Sequence, residues 1–405
     1  MSIERSSPHP ASLLHRTGLP RIAATALRRL LSPLPCGQVQ VIFPDGTRLD
    51  HKGPLPGPTA HVQVHRWRAV RRLVTGGDIG FAEAFAAGDW STPDLPAVLE
   101  FGAVNALHLE RLVAGSAPAR LWNRLRHGLR MNSKAGSRRN ITFHYDLGNA
   151  FYRLWLDASM SYSSALYARP DMSLEEAQQA KITRVGELLN LRGGESVLEI
   201  GAGWGALATH LAGRGAHVTG LTLSHEQLAH AAALPAPQRG SMAFRLEDYR
   251  DTGGSFDRIV SIEMLEAVGE RYWPRYFQAL RERLNPGGLA VLQVITIAEE
   301  RFESYRRSAD FIQRYIFPGG MLLTPTIIAR EAEKAGLVPA ASETFGQSYA
   351  RTLADWRRRF LDQTEALEQM GFDRTFRRIW DYYLAYCEAG FRCGAINVGL
   401  YTLKG

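Results

Sequence analysis

Cysteine is scarce: the 405 residues hold three, Cys36, Cys387 and Cys393, and no Cys-x-x-Cys pair. An odd, widely spaced set offers neither a disulfide framework nor a structural zinc site, so no metal is expected. No apolar run reaches the ~18 residues of a membrane span, because Arg, Asp, Glu or Gly interrupts every candidate. The segment 1–34 carries Arg5, Arg16, Arg21, Arg28 and Arg29 but no uninterrupted apolar stretch and no small-residue cleavage site, so a secretory signal is not expected. A soluble, reduced, cytoplasmic protein is the expectation. What is present is ordinary for a globular chain, with 45% hydrophobic and 22% charged residues. That excludes wholesale disorder, a collagen-like chain and a coiled-coil rod, and the length predicts two or three domains.

Acidic residues are thin at the front. Residues 1–34 sum to +4 and residues 35–119 to −1, while residues 120–139 carry seven bases and no acid. The chain as a whole is +8, so the segment 1–139 holds all of the excess. Such asymmetry points to a polyanionic partner, an anionic membrane surface or a nucleic acid. Leu121, Trp122, Leu125 and Leu129 fall at helical spacing among these bases, as in an interfacial helix. A solvated linker, with Trp122 packed on its own domain, is the alternative.

Four regions follow. Residues 1–34 form a basic N-terminal segment, 35–116 a small α+β domain, 117–140 a basic linker and 141–405 a larger domain. In the small domain, strand-like runs at 38–43 and 61–67 are joined by the turn signals Pro44-Asp45-Gly46 and Gly53-Pro54. A helical pattern follows through residues 81–85 and again from Asp94. From Ile141 onwards helices and strands alternate, which predicts an α/β fold with a doubly wound, mostly parallel sheet. Its second, fourth and fifth strands are expected at 217–221, 256–262 and 289–295. A helix at 272–284 should precede the last, with Asn285-Pro286-Gly287-Gly288 as a stop and turn.

The most informative stretch is Ser196-Val197-Leu198-Glu199-Ile200-Gly201-Ala202-Gly203-Trp204-Gly205. A β-rich run meets three alternate glycines, then a helix from Ala206. Glycines there let backbone approach a ligand at the carboxyl edge of a sheet. A P-loop would need Gly-Lys-Ser/Thr after the loop, and none is present. A dinucleotide site would need an acid about 20 residues on, where Gly220-Leu221-Thr222 stands. Glu199, just ahead of the glycines, suits S-adenosylmethionine (SAM) instead, placed to orient the loop and the amino-acid end of the ligand. Thr222-Leu223-Ser224, Asp248-Tyr249 and Glu263-Met264-Leu265-Glu266 should line the same cleft.

An ordered series of motifs then resembles the cyclopropane-fatty-acid synthases and their mycolic-acid relatives. It runs from Gly80-Phe81-Ala82-Glu83-Ala84-Phe85 with Gly88-Asp89-Trp90, through His144-Tyr145-Asp146-Leu147-Gly148-Asn149 and Met160-Ser161-Tyr162-Ser163-Ser164-Ala165. The glycine loop, Leu221-Thr222-Leu223-Ser224 with Glu226-Gln227, and Asp248-Tyr249-Arg250-Asp251 follow. Residues 261–269, Tyr315-Ile316-Phe317-Pro318-Gly319-Gly320 and Gly390-Phe391-Arg392 close it. The resemblance implies a seven-stranded Rossmann-like class I methyltransferase sheet with an acyl-chain pocket, and a small N-terminal domain associated with lipid. It implies transfer of a methyl group from SAM to the double bond of an unsaturated phospholipid acyl chain, giving a cyclopropane fatty acid at the inner face of a membrane. SAM contacts would come from Tyr162, Ser163, Gly201, Ala202, Gly203, Trp204, Gly205, Thr222, Gln227 and Tyr249. Bound bicarbonate would act as the base, held by Ser164, Glu266, Gln293, Ile295 and Tyr349.

Three positions depart from the best-known synthases: Ser164 stands for cysteine, Ala267 for histidine and Gln293 for histidine. Serine and glutamine still make hydrogen bonds, but glutamine does not titrate near neutral pH. The anion is therefore expected to be held less firmly, which leaves room for a hydride shift before proton loss. The variant stretch 262–269 resembles relatives that form methylene- or methyl-branched chains, and a partner reductase would then saturate the branch. A homodimer is among the expected partners. A nucleic-acid methyltransferase should show Asn/Asp-Pro-Pro-Tyr/Trp or a cysteine after the fourth strand. Both are missing, so no nucleic-acid partner is expected. An inactive, membrane-associated SAM-binding protein is the non-enzymatic alternative.

Overall fold

The computed structural model describes residues 19–113, 147–307 and 309–405. The segment 1–18, the basic run around Trp122 and the motif residues His144, Tyr145 and Asp146 lie outside them. Two compact units divide between Gly115 and Ser116.

The first unit carries strands β1 (Cys36–Ile42), β2 (Arg48–Lys52), β3 (Leu55–Val64) and β4 (Trp90–Ser91) in the order β2-β1-β3-β4. Period-2 alternation builds β1: Val39 and Val41 are buried and Gln38 and Gln40 point away. β2 has no counterpart in the sequence pattern. Its sequence Arg-Leu-Asp-His-Lys gives only Leu49 to the core, so its apolar signal is too thin to read. β3 starts at Leu55, well before the apolar run at 61–67 that announces it, and pairs parallel to β1 through Thr59 to Gln63. Behind the strands lie the helices Arg68–Ala86 and Leu95–Val104, the second capped by the Asp94 carboxylate, which accepts from the Ala97 amide at 3.1 Å. Between them Asp89 is fully buried and takes the Arg68 guanidinium in a fork at 2.8 and 2.7 Å, with Arg72 at 3.4 Å.

The second unit is the α/β domain. Its strands β5 (Ser196–Ile200), β6 (His217–Thr222), β7 (Ser241–Leu246), β8 (Phe256–Ile262), β9 (Leu284–Ile297), β10 (Val338–Thr344) and β11 (Ile396–Lys404) form one sheet in the order β10-β11-β9-β8-β5-β6-β7. β7, β6, β5, β8 and β9 are parallel, and β11 enters antiparallel between β9 and β10. The central strands read as near-continuous Val/Leu/Ile because helices cover both faces. The fold class is as expected. One detail differs: Asn285-Pro286-Gly287-Gly288 does not separate helix from strand. β9 already begins at Leu284, and a register shift against β8 between Phe256 and Arg258 absorbs the Pro-Gly-Gly. Strand order reverses beside β5, between β6 and β8, which places the ligand crevice at its carboxyl end. Among the described residues no helix is long and apolar enough to cross a membrane.

The Asp89 cluster predicts a stability effect. Asp89→Asn leaves the Arg68 fork without its anion, and loss of charge-assisted hydrogen bonds is expected to destabilise the first unit by about 2 kcal/mol. Hydrogen exchange of the β1 and β3 amides in the full chain measures this; unchanged protection would mean that the arginines contribute nothing there.

Candidate active site

The glycine loop leaves β5 with Gly201, Gly203 and Gly205 all at positive φ (86°, 54° and 91°). The amides of Gly201 and Ala202 donate to the Leu221 carbonyl at 3.1 and 2.8 Å, tying the loop to the end of β6. The glycines do different work. A Cβ on Gly205 would lie 2.8 Å from Leu234 Cδ1, so that glycine serves packing, whereas a Cβ on Gly203 would meet nothing within 4 Å. Gly203 faces open space, as a cradle for a ligand must. Beneath it Glu199 is buried, and its Oε2 has no hydrogen-bond partner. Desolvation pushes its pKa up to about 8, against the pull of the Lys181 ammonium. An enclosed carboxylate with a spare oxygen is short of a cation or a donor, which the amino-acid end of SAM supplies. The residues present fit SAM.

The rest of the expected SAM set is held by the protein's own bonds. The Thr222 hydroxyl donates to Gln227 Oε1 at 2.7 Å and accepts from the Ser224 amide at 3.1 Å. The Trp204 indole donates to Asn149 Oδ1 at 2.7 Å, with its ring 5.3 Å from that of Tyr152. The Tyr249 ring meets Tyr276 edge-on at 5.4 Å, and Arg250, clamped by Asp248 at 2.8 and 2.6 Å, lies 5.6 Å from its centre. Tyr162 bonds Tyr383 hydroxyl to hydroxyl at 2.7 Å inside a wall of Tyr152, Trp155 and Trp356. Ser163 Oγ accepts from Lys181 Nζ at 2.6 Å.

Across the loop lies the second half of the site. Ser164, Gln293 and Tyr349 converge, but on Glu263. Ser164 N–H and Gln293 Nε2 donate to Glu263 Oε1 at 2.8 and 2.7 Å, and the Tyr349 hydroxyl donates to Glu263 Oε2 at 2.7 Å. Ser164 acts through its amide, not its side chain, whose hydroxyl donates to the Ala165 carbonyl at 2.9 Å. The Ile295 amide donates to Glu266 Oε1, while Glu266 Oε2 is enclosed without a partner. Burial first, then the neighbouring Glu263 charge, lifts the Glu266 pKa to about 8. Free bicarbonate does not fit this arrangement, because the groups expected to hold it already donate to carboxylates of the chain. The expectation of a loosely held anion is corrected with it: the anion here is a side chain held by three donors.

Two residues of this site escape the sequence reading. Glu263 stands out there only as part of a cleft-lining stretch, and one sequence does not distinguish it from Glu266 three places on. Lys181 reads as a surface lysine on the helix Leu174–Leu188. It is buried, and desolvation lowers its pKa to about 8 although Glu263, Asp157 and Glu199 pull the other way.

The profile described as mycolic acid cyclopropane synthetase matches residues 132–400. The tuberculostearic acid methyltransferase of Mycobacterium tuberculosis is 39% identical over 94% of this chain and 90% of its own length. The cyclopropane-fatty-acyl-phospholipid synthase of Escherichia coli is 33% identical over 84% and 86%. Among solved structures, a mycolic acid cyclopropane synthase complexed with S-adenosylhomocysteine and CTAB superposes with a TM-score of 0.62 at 30% identity, covering 66% of this chain and 98% of that one.

The site predicts a pH-dependent affinity. Glu199 is largely protonated at neutral pH, and ionisation as pH rises through about 8 makes the pocket more negative. Loss of the Lys181 proton in the same range acts in the same direction. SAM, a cation at its sulfonium, is therefore expected to bind on the order of tenfold tighter at about pH 8 than at about pH 6.5. Calorimetry of the wild type and Glu199→Gln reads this; a pH-independent wild-type affinity would remove Glu199 from the binding site.

Proposed function

The chain belongs to the mycolic acid cyclopropane synthetase family of SAM-dependent methyltransferases, and from that premise we propose that it methylates the double bond of an unsaturated fatty acyl chain carried on a membrane phospholipid. The observation that carries the reading is the set of buried carboxylates, Glu199 just ahead of the glycine loop and Glu263 and Glu266 just past β8, together with the aromatic wall around Tyr162. SAM supplies an electrophilic methyl on a positively charged sulfur. The protein must do the rest. An alkene is a poor nucleophile, so it has to be held in line with that methyl and away from water. Methyl transfer leaves positive charge on the neighbouring carbon of the chain, which buried carboxylates and the faces of Tyr162, Tyr349 and Trp356 stabilise where water is excluded.

The product we propose is the methylene-branched chain, from which a separate reductase would make the methyl-branched one. The support is the likeness over both units to a protein named as a tuberculostearic acid methyltransferase. The cyclopropane is the second reading, supported by the likeness to a cyclopropane-fatty-acyl-phospholipid synthase. The two products have the same mass, so proton NMR of lipids from bacteria expressing the chain decides. Vinylidene signals in the alkene region are the expected result, ring signals far upfield favour the second reading, and unmodified lipids defeat both.

We further propose that the basic front meets the anionic surface on which the substrate lies. Each base near such a surface contributes up to about 1 kcal/mol, screened by salt. Arg28 and Arg29 are exposed in the last turn of the helix Leu19–Leu31, whose opposite side buries Leu27 and Leu31. Binding to phosphatidylglycerol vesicles is expected to fall steeply with salt and to exceed binding to phosphatidylcholine vesicles; equal, salt-insensitive binding would contradict it.

A further inference from the structure

We propose that the Glu263 carboxylate is the base of the reaction, built into the chain at the place a free bicarbonate would otherwise occupy, and that turnover therefore needs no bicarbonate. The inference rests on the reading of the site as an alkene methyltransferase and adds the identity of its proton acceptor.

Four groups converge where the anion was expected: the amides of Ser164 and Ile295, the Gln293 side chain and the Tyr349 hydroxyl. Three donate to Glu263 at 2.7 to 2.8 Å and the fourth to Glu266. A carboxylate presents two oxygens in a plane much as bicarbonate does, so donors arranged for one serve the other. The backbone has been shaped to bring it there. Glu263 has φ +50°, a left-handed conformation uncommon for a residue with a side chain, and one of three such non-glycine residues among those described. It is the first residue past β8, and its own amide donates to the Gln293 carbonyl at 2.8 Å. Ser164, Gln293 and Tyr349 are buried and hold the carboxylate from the protein side, while Glu263 as a whole residue is half-buried.

The step balances without another reagent. The π electrons of the alkene form the new carbon–carbon bond to the methyl, the carbon–sulfur pair stays on sulfur, and S-adenosylhomocysteine leaves. Glu263 then takes a proton from the added carbon, either directly, which closes the ring, or after a hydride shift has moved the charge onto the carbon that bears it, which gives the methylene. That C–H pair becomes the new π bond or closes the ring. Glu263 is left as a neutral acid and returns its proton to solvent when the product departs. A simple pinning role, tying Ser164, β9 and the helix Gly346–Asp362 together, would give the same contacts, so the experiment must separate the two.

The wild type, Glu263→Gly and Glu263→Gln are compared in full-length form on unsaturated phospholipid vesicles with SAM, in carbon-dioxide-free buffer and with added bicarbonate or formate. The wild-type rate is expected to be the same in all three conditions. Glu263→Gly should lose at least about 100-fold, as for removal of a general base, and regain about tenfold or more with either small anion. Glu263→Gln, whose amide fills the space, should be as slow and unresponsive. Carbon-13 NMR with labelled bicarbonate should show binding to Glu263→Gly and none to the wild type, and SAM affinity by calorimetry reports whether the variants are folded. A wild type that needs bicarbonate or binds it, or a Glu263→Gly variant that is fast without an added anion, overturns the proposal. A folded, SAM-binding Glu263→Gly that no anion rescues and that binds no bicarbonate assigns Glu263 to pinning. A wild type that binds SAM but methylates no acyl chain defeats the functional reading itself, and the proposal falls with it.

Discussion

Enclosed carboxyl groups are the constraint on which this site depends. Glu199 and Glu263 lie beside the buried Lys181 ammonium, and Glu266 feels the charge of Glu263. Removing a carboxylate from water costs several kcal/mol unless it is paired or hydrogen-bonded. Glu263 offsets part of that cost with three donors, although burial still raises its pKa; Glu199 and Glu266 each keep an oxygen without a donor and also shift toward the protonated form. A site in this condition is poised for positive charge. On the proposed reading it would attract the sulfonium of the methyl donor, and after transfer the same imbalance would favour the cation left on the acyl chain. The aromatic wall adds faces of weak negative potential without adding protons to exchange.

The sheet makes such an arrangement possible. Parallel strands end at one edge, so residues distant in sequence meet where β5, β8 and β9 stop. The pairing of Ile262 with Gln293 fixes the register there and places the residue after Ile262 beside Gln293. The helix Gly346–Asp362 completes the clamp. From it Tyr349 reaches Glu263, and Thr352 Oγ1 accepts the Ala165 amide at 3.1 Å, holding the 162–165 segment against the carboxylate. Glu263 thus binds separate stretches of chain through one side chain.

How much of this was legible in the sequence follows from which signals are local. The glycine loop, the acid before it and the alternation of helices with strands are local patterns, and they placed the sheet and its carboxyl edge. That Ser164, Gln293 and Tyr349 belong together was legible only through resemblance, because no periodicity links positions so widely separated along the chain. What they hold was not legible. It depends on a single left-handed residue and on strand register, neither of which one chain's letters encode. Ser164 invites a reading through its hydroxyl, whereas its amide makes the bond to Glu263, a choice set by backbone direction. In the first unit β2 stays hidden because one buried leucine among charged residues carries no pattern.

The three departures from the better-known synthases form one coherent substitution once Glu263 is included. A diffusible anion must be bound from solution, so its site benefits from a titratable partner whose positive charge helps to capture it. A tethered carboxylate needs no capture: the translational entropy of bringing it in was lost when the chain folded, and its occupancy is independent of concentration. A charged histidine beside it would lower its basicity, since an adjacent cation favours the ionised form. Gln293 holds the same oxygen at 2.7 Å as a neutral donor whatever the pH, and burial raises the basicity of Glu263 although its three donors and the Lys181 charge pull the other way. Loss of histidine and gain of an acid are therefore complementary, and the neutral amide is the partner that a built-in base requires.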